Sequence, residues 1–264
     1  MTKIKDVIEY LEIIAPSHYQ ESYDNAGLLV GNQETEITGI LICLDSTEAI
    51  IEEAIANNCN LVVAHHPIIF SGLRRLTGRN YVERTVIKAI KNDIAIYAIH
   101  TNLDNVYNNG VNGKIAEILG LQETEILVPK KGLDDTKIGA GIIGKLPTEL
   151  SEKDFMNKVK KDMELVTLKY THLLNKPIQK VALCGGSGGF LLEDAISNGA
   201  DVFITSDIKY HEYFDADGRI LVLDIGHFES EQYTITLLQE ILTKKFSTFA
   251  SRSTMVCTNP IKFL

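Results

Sequence analysis

Three places in this 264-residue sequence put nitrogen and oxygen donors where chemistry needs them. The first is Leu61-Val62-Val63-Ala64-His65-His66-Pro67, a short apolar run, β-branched at Val62 and Val63, that stops at two adjacent histidines and a proline. Such a run reads as a buried parallel strand. In open α/β sheets ligands gather beyond the carboxyl ends of the strands, so imidazoles placed there are metal ligands or acid/base groups. The second is His100-Thr101-Asn102-Leu103-Asp104, which follows the apolar run Ile94 to Ile99. The third is Gly226-His227-Phe228-Glu229-Ser230-Glu231, which follows Ile220 to Leu223. His227 and Glu231 are spaced to share one face of a helix, with Cβ atoms about 5–6 Å apart.

His65, His66, Asp104, His227 and Glu231 thus stand at the ends of three predicted strands. Five such donors exceed a closed tetrahedral site but suit two divalent ions bridged by carboxylate and water. Imidazole and carboxylate without thiolate fit zinc, iron(II) or manganese and do not choose among them. A Ser–His–Asp hydrolytic triad is the competing chemistry. It is set aside on the reading that the chain lacks a nucleophile elbow.

The elements that must position these donors follow from periodicity. Ile4, Val7, Ile8, Leu11 and Ile14 predict a helix over Lys3 to Ile14, stopped by Pro16. Ile37 to Leu44 is a strand, and Asp45 is read as the N-cap of a helix to about Asn57, with Glu48 completing a capping box. Further helices are expected over Tyr81 to Lys91, Val111 to Leu119, from Ser151 through Met163, and as one long helix from His227 to about Phe246. Strands are expected at Gly139 to Leu146 and Val166 to Tyr170. Residues 40–66 also repeat, without a gap, as residues 181–207: Cys43 falls on Cys184, Ser46 on Ser187, Ala54 on Ala195, and Leu61-Val62-Val63 on Val202-Phe203-Ile204. Two strand–helix–strand units of one design are implied. In this register His65-His66 falls on Ser206-Asp207.

Other motifs carry weaker signals. Gly185-Gly186-Ser187-Gly188-Gly189 occupies a strand-to-helix turn but fits neither dinucleotide nor P-loop patterns, so tight-turn glycines are favoured over an anion cradle. Arg74, Arg75 and Arg79 lie in a glycine-punctuated loop and are candidates to grip a substrate phosphate. Asp24, before the run Leu28-Leu29-Val30, reads equally as a supporting carboxylate or a turn residue.

Bulk composition limits the partners. With 26 Lys and Arg against 35 Asp and Glu, the formal charge of −9 argues against non-specific binding to nucleic acid or anionic membrane. A small phosphorylated or nucleotide ligand stays open. The four cysteines are widely spaced and read as reduced core residues, neither disulfides nor zinc ligands. The sequence shows neither a membrane span nor a signal peptide, and a soluble cytoplasmic protein is expected.

Taken in order, the Asp24-Asn25-x-Gly27-Leu28 loop, His65-His66-Pro67, His100-Thr101-Asn102-Leu103-Asp104, Gly185-Gly186-Ser187-Gly188, Ser206-Asp207 with Tyr210-His211, and Gly226-His227-x-x-x-Glu231 resemble the GTP cyclohydrolase 1 type 2 homologue family. These are the NIF-three-like dinuclear metal-binding proteins, and the resemblance spans essentially the whole chain. It implies an α/β fold of two related lobes, an internal pseudo-repeat, facing across a dinuclear metal cleft. The lobes are expected at residues 1–124 and 125–264, with no inserted extra domain. The resemblance also implies two metal ions on His65, His66, Asp104, His227 and Glu231, and a toroidal homohexamer. By the same resemblance Asp24, His100, Lys209 and His211 are supporting groups near the metals, and on chemical grounds His100 or His211 is a candidate to shuttle a proton; His172 has no such match. The expected activity is metal-dependent hydrolysis of a nucleotide or phosphoester. The rival expectation is a non-catalytic metal-binding scaffold or regulator.

Overall fold

The computed structural model describes residues 1–130 and 137–264. Its strands are β1 (Gly27–Val30), β2 (Gly39–Cys43), β3 (Leu61–Ala64), β4 (Ala95–Ala98), β5 (Gln122–Pro129), β6 (Gly139–Leu150), β7 (Lys169–Tyr170), β8 (Ile178–Ser187), β9 (Val202–Ser206), β10 (Leu221–Asp224) and β11 (Ala250–Ser253). The helices are α1 (Ile4–Ile14), α2 (Glu48–Ala56), α3 (Tyr81–Lys91), α4 (Thr101–Asp104), α5 (Val111–Ile118), α6 (Glu152–Asp162), α7 (Leu192–Ser197), α8 (His227–Glu231) and α9 (Thr234–Lys245). The chain forms two compact units, residues 1–103 with 234–262, and residues 104–233 with 263–264.

The division differs from the expected boundary between residues 124 and 125. In the first unit the sheet order is β1-β4-β3-β2-β11. β11 adds in parallel to β2, pairing Ala250 with Gly39 and Ser253 with Ile42, so the C-terminal segment returns to the first sheet. In the second unit the order is β5-β6-β8-β9-β10-β7, and α5 packs against β6 and β8, which draws residues 104–124 into that unit.

The repeat survives as matched register. Ile40, Leu41 and Ile42 pair in parallel with Leu61, Val62 and Val63. Their counterparts Val181, Ala182 and Leu183 pair in parallel with Val202, Phe203 and Ile204. Each unit then adds a third parallel strand, β4 beside β3 and β10 beside β9. β2, β3, β9 and β10 are buried throughout and β8 from Val181 to Gly186, which is why they read as continuous apolar runs and not as alternating ones. Consequently the chain after β3 and after β9 emerges at the carboxyl edge of its own sheet.

Several local expectations change. Thr47, not Asp45, is the N-cap of α2, its hydroxyl accepting from Ile50 N. The expected helix from His227 is interrupted after Glu231. Gln232 Nε2 donates to Met163 O at 3.1 Å and Tyr233 OH to Asp162 O at 3.2 Å, so both side chains are drawn to the end of α6. Only Lys169–Tyr170 of the expected strand Val166 to Tyr170 forms, antiparallel to β10. The strands β5 and β11 had no expectation. No helix among the described residues is long and apolar enough to cross a membrane.

Candidate metal centre

In the first unit, β3 and β4 run parallel and deliver their histidines at the same edge. Ligand nitrogens of His65, His66 and His100 lie within 4.8 Å of one another. Ring centroids are 4.9 Å apart for His65 and His66, and 5.3 Å from each to His100. His100, expected as a proton carrier, therefore stands in the same imidazole cluster.

Each ring is fixed through Nδ1. For His65 the partner is Ile99 O at 2.8 Å, for His66 it is Asp45 Oδ1 at 2.8 Å, and for His100 it is Asp24 Oδ1 at 2.8 Å. Carbonyl and carboxylate oxygens only accept, so Nδ1 carries the proton and the neutral ring keeps its lone pair on Nε2. This is the arrangement that orients histidines toward metals. Asp24 also accepts from Thr101 N at 3.0 Å and from the Thr101 hydroxyl. Burial alone would raise the Asp24 pKa, but the His100 and Thr101 hydrogen bonds outweigh it and hold the group at about 2.

In the second unit, His227 Nδ1 meets Asp207 Oδ2 at 2.6 Å, which sets the same tautomer. Its Nε2 lies 3.1 Å from Glu231 Oε2. A lone pair and a carboxylate at that distance repel unless a cation lies between them or the ring takes a second proton. Carboxylate oxygens of Glu231 and Asp104 come within 4.8 Å of one another. Glu231 is only 2% exposed, a costly place for an uncompensated charge.

The glycine turn makes room for that carboxylate. Gly186 has φ +64°, and a Cβ there would stand 2.3 Å from Glu231 Oε1. Its N–H groups are already used: Gly185 N donates to Asn112 Oδ1, Gly186 N to Ser230 Oγ and Gly188 N to Thr205 Oγ1, at 2.8, 2.9 and 2.9 Å. With these three amides satisfied by Asn112, Ser230 and Thr205, they are not offered to an anion. Gly185 to Gly189 does match the Gly-x-Ser-x-Gly spacing, contrary to the expectation that no elbow string occurs. Ser187 nevertheless has ordinary strand geometry, paired with Ser206, and no hydrogen bond to a histidine among the described residues. The triad is rejected on geometry.

The remaining site residues fall as follows. Arg79 is taken up by Glu83, at 2.9 Å from Nη2 to Oε1, while Arg74 and Arg75 are exposed. Lys209 is 85% exposed with its ammonium 3.5 Å from Glu212. The His211 ring packs with Tyr210 and Phe214, at centroid distances of 5.2 and 6.3 Å. Tyr170, Tyr210, Tyr213 and Phe214 line a cleft of about 710 Å³ in this unit, with no Lys or Arg among its lining residues. Sequence reasoning missed Asp45 as the partner of His66 and Gly186 as the space for Glu231. Asp207 was legible as the repeat counterpart of His66 and within the Ser206-Asp207 motif, without a role assigned to it.

In each unit the donors fit divalent metal: three imidazoles with anchored Nδ1 atoms in the first, and His227, similarly anchored, with the carboxylates of Asp104 and Glu231 in the second. No cysteine joins these groups among the described residues, and burial pushes the thiol pKa values of Cys43 and Cys184 up.

Known proteins share this architecture. A Clostridium perfringens GTP cyclohydrolase 1 type 2 homolog is 39% identical over 230 residues, 87% of each chain. One from Clostridium acetobutylicum is 34% identical over 91% of this chain and 89% of its own. A hypothetical protein of Staphylococcus aureus superposes with a TM-score of 0.93 at 28% identity, over 99% of both chains. A Bacillus cereus protein related to NIF3 gives 0.90 at 26%, over 100% of both. The model of the Duf34/NIF3 (NGG1p interacting factor 3) family matches residues 2–260, nearly the full length over which the repeat, the strand-end histidines and the glycine turn are distributed, and the chain belongs to that family.

Proposed function

We propose that the protein is a divalent-metal-dependent hydrolase acting on a nucleotide or phosphoester, with two ions held by His65, His66, Asp104, His227 and Glu231. The observation that carries this reading is the common anchoring of the histidines through Nδ1, which leaves each Nε2 as a donor atom. Divalent ions held by these residues would lower the pKa of a bound water toward neutrality and so supply the hydroxide for attack. His65 and His66 contribute neutral nitrogen, and Asp104 and Glu231 contribute the negative charge that a cation needs. His100, locked by Asp24, or His211 on the aromatic loop carries the proton to the leaving group. The cleft beside Tyr210 and Phe214 suits a planar base by stacking. The proposed phosphate grip is Arg74 and Arg75, exposed on a loop that Arg79 holds through Glu83.

The test is turnover by metal-loaded protein on a panel of nucleotides and phosphoesters, beside Glu231→Gln prepared identically. Metal-dependent turnover lost in the variant supports the hydrolase. No turnover from protein carrying its full metal complement would replace it with the scaffold or regulator reading. The proposed homohexamer rests on family resemblance, and light scattering that finds a monomer at every practical concentration would dismiss it.

A further inference from the structure

The segment after β11 is tied back to the first unit at successive points. The Thr254 hydroxyl donates to Glu53 on α2, and Met255 N donates to Glu53 Oε1 at 2.8 Å. Val256 packs against the buried cluster around Leu41 and Val62. Two residues on, Thr258 Oγ1 donates to Asp45 Oδ2 at 2.8 Å. The other Asp45 oxygen is the one that fixes His66 Nδ1 at 2.8 Å. Asp45 thus lies between a histidine of the metal cluster and a residue of the C-terminal segment.

We propose that Thr258 is a positioning residue for His66, acting through Asp45, so that the C-terminal segment helps set metal affinity. This rests on the reading of His66 as a metal ligand. Asp45 stands beyond the end of β2, outside any helix or strand, and its side chain is 37% exposed. Water therefore competes for both oxygens, and a hydroxyl on one of them restricts the rotation that would carry the other away from His66. Losing the hydroxyl would also leave the carboxylate more basic, which alone would strengthen its pull on the imidazole. Orientation outweighs that effect, because a hydrogen bond to the ring exists only while Oδ1 stays in the ring plane.

The experiment uses zinc alone as probe, titrated against a chromophoric chelator, with the full-length protein. Asp45→Asn should weaken zinc binding about 10- to 100-fold, as loss of an outer partner of a metal-ligating histidine does. Thr258→Val, which keeps the volume and drops the hydroxyl, should weaken it about 2- to 10-fold, the worth of one hydrogen bond. Thr258→Ser should restore wild-type affinity. In the Asp45→Asn background Thr258→Val should add nothing, since the two act in series. Nitrogen-15 spectra of the His66 ring in metal-free protein give a readout that needs no metal. The Nδ1–H tautomer should dominate in wild type and Thr258→Ser and be diluted in Thr258→Val. Additive effects on affinity, tighter zinc in Thr258→Val, or an unchanged His66 tautomer would overturn the proposal. Wild-type protein that binds no zinc would refute the metal reading instead, and the tautomer comparison would still decide whether Thr258 positions His66.

Discussion

Replacing Gly186 with alanine separates two costs that the structure superimposes. The first is conformational: φ is +64°, and a left-handed backbone costs an L-residue about 1–2 kcal/mol. The second is steric: the new Cβ would lie 2.3 Å from Glu231 Oε1 and 3.3 Å from its Cδ. To reach ordinary contact the carboxylate must move by about 1 Å, and overpacking of this kind costs about 1–3 kcal/mol. The sum is a destabilisation of about 2–5 kcal/mol in metal-free protein. Gly199→Ala is the control, because Gly199 has φ +70° with nothing within 4 Å of a Cβ; it should lose only the conformational part. Metal binding should suffer as well, since ligand positions tolerate errors of only about 0.2 Å. Urea denaturation of chelated protein and elemental analysis after repletion measure the two effects. In a Glu231→Ala background the cost of Gly186→Ala should fall to that of Gly199→Ala. Equal costs for both glycines in the wild-type background, or full metal in Gly186→Ala, would refute the steric argument.

His66→Ala should lower bound metal well below about two ions per chain, which elemental analysis checks. Glu83 anchors the arginine loop: hydrogen bonds from Arg79 and from Thr77 and Arg79 N–H groups hold its pKa at about 2, below the ordinary 4.5. A depressed folded-state pKa contributes stability above the unfolded value and loses it as pH falls toward 2. The Tm difference between wild type and Glu83→Gln should therefore be largest above pH 4.5 and vanish near pH 2; a pH-independent difference would contradict this. Of the four cysteines, all expected in the core, Cys257 is exposed, so a thiol reagent should label one thiol rapidly in native protein and four after unfolding.

The sequence by itself determined what depends on short-range pattern. Apolar runs marked β2, β3, β8 and β9, and because both faces of these strands are buried the signal was strong enough to carry the repeat down to its pairing register. Helix α3 has the bounds its periodicity predicts, because Asn80 caps it locally, accepting from Glu83 N at 2.9 Å. The strand-end histidines were visible for the same reason: a strand that stops at polar residues announces its end. What only the tertiary structure decided is which distant group each local candidate serves. Asp45 is as a residue type a better cap than Thr47, yet Thr47 caps the helix while the Asp45 carboxylate is held by His66 and Thr258. Gly186 looked like any turn glycine until Glu231, 45 positions later in the chain, was found against it. β11 has no apolar run to betray it, since as an edge strand it is stabilised by ladder hydrogen bonds to β2, and backbone bonds leave no mark on side-chain composition.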